Sequence, residues 1–396
     1  MFPAGFVPNF EEDLINRLQL WAKGERPGPY KLLFMPTNAC NIKCEICWLR
    51  RGYANYEELS PERQLRLADE AADLGVRVVT IAGGGEPLTR WKTLRHFLAR
   101  VKANGSVWGQ LITNGTLITE DAAAHLAEIG WDQVHISLDG LEAGNDLVRG
   151  AGTYRQIVTG LRNVLRLRKN GMPHVGVNCV LTRHVVRQLP CLVRFVRDLG
   201  CHFFYLSKLT VFLPSQTGFA LTEEDLDILP AFLREALWVA EHGRMENNLR
   251  HYLAADLASS VVVAEAAIDR PATTVSPSAT GSPSGTNASG ETRESRPALL
   301  DPLCFEPFLG LTVFSNGSTG PCCHSSDEPL TSLLSKSLQE VWYGEEFSRL
   351  RREFLAHRAA SFCSYCHLNR YLENERVRGL VQIDNTANSQ VAVSVS

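Results

Sequence analysis

The chain has 396 residues, 44% of them apolar and 21% charged, with a formal net charge of -3 and 11 cysteines. Such a length supports a large α/β domain plus a smaller one, with a core that needs no disulfide staples, and the near-balanced charge gives no electrostatic reason to expect a nucleic-acid partner. The N-terminus "MFPAGFVPNFEEDLINRL" lacks the features of a secretory signal and no apolar run approaches the ~20 residues of a membrane span, so a cytoplasmic location without a membrane partner is expected, where cysteines read as metal ligands, catalytic thiols or buried small residues.

Residues 1–30 form an N-terminal extension. From residue 31 onward, short β-rich runs alternate with helical patterns. "KLLFMPT" (31–37), "VRVVTIAGG" (76–84), "WGQLITNG" (108–115), "QVHISLDG" (133–140), "HVGVNCVLT" (174–182) and "CHFFYLSKL" (201–209) are predicted strands, rich in β-branched and aromatic residues. "SPERQLRLADEAADLG" (60–75) has a Ser cap, a Pro at the first helical position and a closing Gly. "TYRQIVTGLRNVLRLRKNG" (153–171) sets Ile157, Leu161, Val164 and Leu165 on one face. Segments 91–104, 119–129 and 187–199 are the other helices between strands. Six βα units imply a parallel sheet with helices outside, and six are fewer than the eight of a closed barrel, so the expected fold is α/β, a partial (βα)6 TIM-like barrel over 31–215.

Residues 216–297 read as a charged helical connection followed by a Ser/Thr/Pro-rich linker, "PATTVSPSATGSPSGTNASGETRESRP" (271–297), too poor in apolar residues to offset its chain entropy. A small α+β unit is expected over 298–380. In it, "LTVFSNGSTGPCC" (311–323) reads as a hairpin about Asn316 and Gly317, and 337–357 as one helix. Residues 381–396 read as a tail.

The chemistry concentrates in cysteines. "CNIKCEIC" places Cys40, Cys44 and Cys47 just after the first strand, at the end of a βα barrel where active sites form. Three thiolates around one cluster leave a metal position open. A structural zinc with a fourth ligand such as His125 or His135 also satisfies the spacing. A second set comprises Cys304, the pair Cys322 and Cys323, and the "CSYC" of Cys363 and Cys366. Four thiolates there would enclose a full iron–sulfur cluster or a zinc ion. Cys179, Cys191 and Cys201 have no metal spacing and read as buried small residues.

CxxxCxxC after the first strand, "GGGEP" after the second and "SLDG" after the fourth together resemble the radical S-adenosylmethionine (radical SAM) enzymes, over residues 31 to about 209. The resemblance implies a [4Fe–4S] cluster on Cys40, Cys44 and Cys47 whose open iron chelates S-adenosylmethionine. It places the backbone at Ile46 near adenine and assigns Gly84, Gly85 and Glu86 to the methionine amino group. Ser137 and Asp139 share a strand face and match polar contacts to the ribose and methionyl portions. Arg149, in "LVRG", matches an arginine on the cofactor carboxylate. Asn114 and Asn178 are further cofactor-binding candidates, although Asn114 followed by Gly115 also suits a turn. The implied chemistry is reductive cleavage of the sulfonium to a 5′-deoxyadenosyl radical that abstracts a substrate hydrogen atom, with electrons from a flavodoxin- or ferredoxin-like donor.

The second cysteine set resembles the C-terminal SPASM/twitch extension of that superfamily. No cysteine follows Cys366, so one auxiliary [4Fe–4S] cluster is expected, on Cys304, Cys322, Cys363 and Cys366, with Cys322 and Cys323 able to exchange roles. Cys323 would then be a catalytic candidate, a thiol that returns a hydrogen atom to a substrate radical. Residues 1–30 are too few for the recognition domain of peptide-modifying relatives, which favours oxidation or epimerisation of a small biosynthetic intermediate. A peptide delivered by a separate partner, or a non-catalytic zinc or iron–sulfur protein, are the alternatives. Tyr205, Ser207 and Lys208, at the sixth strand end, are candidate substrate contacts.

Overall fold

The computed structural model describes residues 9–51, 57–105, 107–254, 302–366 and 371–381. The 271–297 linker and residues 382–396 of the tail lie outside the described residues.

Among the described residues ten strands form one sheet: β1 Lys31–Phe34, β2 Val78–Ile81, β3 Trp108–Thr113, β4 Gln133–Ser137, β5 His174–Leu181, β6 Phe203–Lys208, β7 Glu246–Asn247, β8 Gly310–Val313, β9 Ser318–Gly320 and β10 Thr331–Ser332. Their spatial order is β10-β9-β8-β1-β2-β3-β4-β5-β6-β7. β1 to β6 are the six expected strands, all parallel, in sequence order. The sheet does not stop at residue 215. β8 pairs in parallel with β1, from Lys31 opposite Gly310 to Phe34 opposite Val313. β9 turns back antiparallel from β8 through Gly317, whose φ of 81° suits the turn expected there.

The helix Pro61–Asp73 starts on Ser60, which accepts from Arg63 N, and Pro61. The segment expected over 153–171 is helical for Thr153–Leu167 and then turns. The segment expected as one helix over 337–357 is two, Leu338–Tyr343 and Glu345–Leu355. Gly344, with an extended ψ of 167°, separates them and caps the second. Cys179 and Cys201 are buried as expected, but Cys191 is exposed on its helix.

Two apolar clusters hold the fold. The larger lies between the strands and the outer helices, with Phe34, Phe97, Leu111, Trp131 and Val177 among its buried members. The smaller joins the ends of the chain: Phe10, Leu14 and Leu18 of the helix Phe10–Ala22 pack with Phe305, Phe308, Phe354 and Phe362. Arg351 seals that junction. Its guanidinium lies 4.2 Å from the Trp342 ring centroid and 4.7 Å from that of Trp21, and donates to Pro307 O and Trp342 O. Among the described residues no helix is long and apolar enough to cross a membrane.

Inside the barrel runs an uncharged polar row. Thr80 Oγ1 lies 3.0 Å from one end of the Gln110 amide, and the other end lies 2.8 Å from the Gln133 amide. His135 follows, with Nε2 3.2 Å from Gln133 Oε1 and Nδ1 3.3 Å from Asn178 Oδ1. Burial holds the His135 imidazole down at about 3, against a raising effect of the Asn178 contact. Unfolded, the same ring titrates near its ordinary 6.5, so between these values the unfolded chain binds a proton that the folded chain refuses. This residue's contribution is complete above pH 6.5 and declines as pH falls. From His135 alone we expect stability to drop by ~2 kcal/mol between pH 7 and pH 5. Urea unfolding of the wild type and H135Q at both pH values measures it, and equal pH slopes would refute the assignment.

Candidate active site

The Cys40–Cys47 loop leaves the end of β1 and is clasped by the loops that follow the other strands. Gly85 N donates to Thr37 O at 2.9 Å and Glu86 N to Ala39 O at 2.8 Å, from the turn after β2. After β3, Asn114 Nδ2 donates to Asn41 Oδ1 at 3.0 Å, and Asn41 Nδ2 to Thr116 Oγ1 at 2.8 Å. Glu45 N donates to Val148 O at 2.8 Å, on the helix Glu142–Arg149 that follows β4. Gln216, fully buried after β6, donates from Nε2 to Cys47 O at 3.1 Å. Backbone packing requires glycine at two positions of this turn: a Cβ on Gly83 would meet Gly85 O at 1.5 Å, and one on Gly85 would meet Ala39 O at 2.0 Å, whereas one on Gly84 would meet only the Asn38 side chain, which can move.

Several expected cofactor contacts are placed differently from the sequence reading. Glu86 does not offer a free carboxylate. It is 2% exposed and accepts from Leu88 N at 3.0 Å, Thr113 Oγ1 at 2.7 Å and Asn114 N at 2.7 Å. It therefore ties the turn after β2 to the end of β3, and burial pushes its carboxyl up. Asp139 is likewise inaccessible, at 0% exposed. Its Oδ1 accepts from Val180 N at 2.7 Å and its Oδ2 lies 2.8 Å from Arg149 Nε. Ser137 stays half-buried at the end of β4, and Asp139 lies two residues beyond it, past the end of the strand. Arg149 is a buried partner of Asp139, and its Nη1 reaches to 3.9 Å from Cys44 Sγ. Asn114 forms the turn: its Oδ1 accepts from Thr116 N and Oγ1. Ile46 is half-buried in the turn between Cys44 and Cys47.

Two of the three thiols sense their neighbours. Burial pushes Cys44 up to about 11; Arg149 opposes that, and Asp139, Cys47 and Cys40 add to it. Burial raises Cys40 too, with Glu86 and Cys47 adding to the effect. Among the described residues no three Cys, His, Asp or Glu side chains close on the position of a single metal ion. A cubane needs thiolates spaced around its faces, and three cysteines of one short loop beside a glycine cradle fit that donor set.

In the second set, Cys304, Cys322 and Cys363 pack against the smaller apolar cluster. Burial pushes Cys304 up to about 12, with further effects from Glu306 and from Cys366. Cys366 N donates to Cys363 O at 3.1 Å, closing the CxxC turn. Cys323 parts from this group. It lines a cavity of about 390 Å³ inside the barrel, with Gly83 and Trp48 at the Cys40–Cys47 side and His324 beside it. Asn178, Tyr205 and Ser207 line the same cavity, and Lys208 is not among its wall residues. The Tyr205 hydroxyl donates to Glu246. Sequence reasoning missed Gln110, Gln133 and Gln216 as structural members of this site. The signal for the first two was a glutamine within the mostly apolar strand "WGQLIT" and one opening the strand "QVHIS".

The Radical SAM superfamily profile matches residues 34–188, and the SPASM profile, an iron–sulfur cluster-binding domain, matches 304–367. The chain is 27% identical over 216 residues to the tungsten-containing aldehyde ferredoxin oxidoreductase cofactor-modifying protein of Pyrococcus furiosus, covering 52% of this chain and 59% of that protein. It is 34% identical over 201 residues to the mycofactocin maturase MftC of Mycobacterium ulcerans, covering 50% and 51%. The matches thus span about half the length of these relatives. Its fold is similar to that of Streptococcus suis SuiB bound to S-adenosylmethionine, with a TM-score of 0.60 at 19% identity over 84% of this chain and 70% of that one. The order of the two profiles follows the order of the two cysteine sets, and the chain belongs to the radical SAM superfamily, as an enzyme with a C-terminal SPASM-type domain, families that bind [4Fe–4S] clusters and S-adenosylmethionine.

Proposed function

We propose that the chain abstracts a hydrogen atom from a substrate held in the barrel cavity, oxidising or epimerising a small biosynthetic intermediate. The observation that carries this is a cavity whose wall includes a chain neighbour of each cysteine set, Trp48 next to Cys47 and Cys323 next to Cys322. Cys40, Cys44 and Cys47 would hold the cluster that binds S-adenosylmethionine, and Cys304, Cys322, Cys363 and Cys366 one auxiliary cluster. When bound, the first cluster and S-adenosylmethionine supply a 5′-deoxyadenosyl radical able to take a hydrogen atom from an unactivated C–H. The clasped loop beside the cavity would fix which substrate carbon faces that radical.

Cys323 supplies the step that separates epimerisation from oxidation. Its S–H bond breaks as a C–H bond forms on the substrate carbon. The sulfur is left one electron short, and an electron and a proton restore the thiol, with a flavodoxin- or ferredoxin-class protein as electron source. A peptide substrate is the second reading. SuiB, whose fold is similar, binds the precursor peptide SuiA, and a cavity of about 390 Å³ accommodates one side chain as readily as a small molecule.

Anaerobic reconstitution should give about eight iron per chain, the content of two [4Fe–4S] clusters. C44A should lose about half of that iron and all reductive cleavage of S-adenosylmethionine, measured by chromatography of 5′-deoxyadenosine. A colourless zinc protein, or a C44A enzyme that still cleaves, would end the proposal.

The adjacent cysteines should separate cleanly. C322A should lose about four iron, and C323A should keep its full iron while the product shifts from epimer to oxidised or solvent-quenched species, read by mass spectrometry in deuterated buffer. An iron loss in C323A equal to that in C322A would assign Cys323 to the cluster instead.

A further inference from the structure

The polar row on β2 to β5 ends in the cavity, and its hydrogen-bond polarity can be worked out. A neutral imidazole carries one N–H, yet His135 has an amide oxygen near each ring nitrogen, from Gln133 and from Asn178. One neighbour must therefore turn its NH₂ toward the ring. Gln133 Nε2 is buried without a partner. Reversing the amides of Gln110 and Gln133 together lets the Gln133 NH₂ donate to the ring and to Gln110, and the Gln110 NH₂ to Thr80. What is left over is the Gln133 carbonyl oxygen, which tolerates burial better than an orphaned N–H, and the O–H of Thr80, a residue that lines the cavity. His135 then donates from Nδ1 to Asn178 Oδ1, and the row reaches the cavity as the Asn178 NH₂.

The charges on the wall select what that NH₂ can meet. Among the described residues no arginine lines the cavity, and its one lysine, Lys31, is held between Glu306 at 2.6 Å and Glu373 at 3.2 Å. Glu306 and Asp327 add negative charge to the wall, and His324 shares a turn with Asp327. An entering anion would lose its hydration without gaining an uncommitted cation.

We propose that Asn178 is the specificity-determining contact of the cavity: its NH₂ donates to an uncharged oxygen of the substrate, a hydroxyl or an amide carbonyl, and the cavity rejects carboxylate and phosphate groups. This deepens the proposed function and rests on its use of the cavity, but it is a statement about binding and is tested as one. Trifluoroacetamide and trifluoroacetate have the same shape and differ in charge. Each is titrated into the anaerobic holoenzyme and followed by fluorine NMR line broadening and by saturation transfer from the protein. The amide is expected to bind, roughly three- to tenfold more weakly to N178L and to N178D, each checked for folding by circular dichroism. The anion is expected to leave no signal. Binding of the anion as tight as that of the amide, amide binding unchanged in both variants, or no amide binding at all overturns the proposal. S-adenosylmethionine cleavage is assayed on the same preparation. Saturation transfer needs no cluster, so an inactive protein that binds the amide through Asn178 would reject the proposed reaction and keep this inference.

Discussion

The pairing of β8 with β1 is the constraint on which the arrangement of the chemistry depends. β1 leads directly into the Cys40–Cys47 loop, and the β8–β9 hairpin leads into Cys322 and Cys323. With Lys31 opposite Gly310 and Phe34 opposite Val313, two segments nearly 280 positions apart in the chain leave neighbouring strands. A one-residue slip of that register would turn every side chain of β8 to the other face. Gly310, Leu311 and Thr312 line the cavity, so the C-terminal unit builds part of the wall rather than merely carrying its own cysteines. The helix Phe10–Ala22 backs the same junction, through the apolar cluster it shares with Phe305, Phe308 and Phe354.

That shared wall also separates the surroundings of two adjacent cysteines. Cys322 has extended backbone, with φ -151° and ψ 171°, immediately before the turn Cys323–Ser326. Consecutive residues in extended chain point to opposite sides. One side chain therefore goes to the small apolar cluster with Cys304 and Cys363, and the next goes to the barrel cavity. Spacing in the sequence left these two cysteines interchangeable; the direction of the chain as it leaves β9 distinguishes them.

Much of the fold was legible because it is local. The six strands announced themselves as β-branched and aromatic runs, the Ser60 and Pro61 start signal held, and Asn316 with Gly317 marked the hairpin. What was not legible depended on distant partners. The helix Glu142–Arg149 is short and carries few apolar residues, yet its last residue meets Asp139 and Cys44. Nothing in residues 1–30 reveals that their helix packs on the C-terminal unit. The break at Gly344 was hidden in an otherwise helical pattern. For the site, residue types identified the chemistry, but not which polar groups were already committed. Glu86 and Asp139 look like free carboxylates in a motif, and their partners come from β3, β5 and the helix after β4.

Those committed carboxylates answer a structural problem at the rim of the barrel. Where strands end, backbone N–H groups lose their ladder partners, and an unpaired buried donor is costly. Glu86 satisfies the N–H groups of Leu88 and Asn114, and Asp139 that of Val180. A water molecule could satisfy one such group, but it would not fix two loops relative to each other. Burying the charges gains little net stability, since desolvation offsets most of the attraction between Asp139 and Arg149. What the pair does provide is direction. Asp139 anchors the guanidinium so that its other nitrogen faces Cys44, and a cation fixed there favours thiolate over thiol. The same burial that makes these residues unavailable to a ligand gives the loop beside them one geometry.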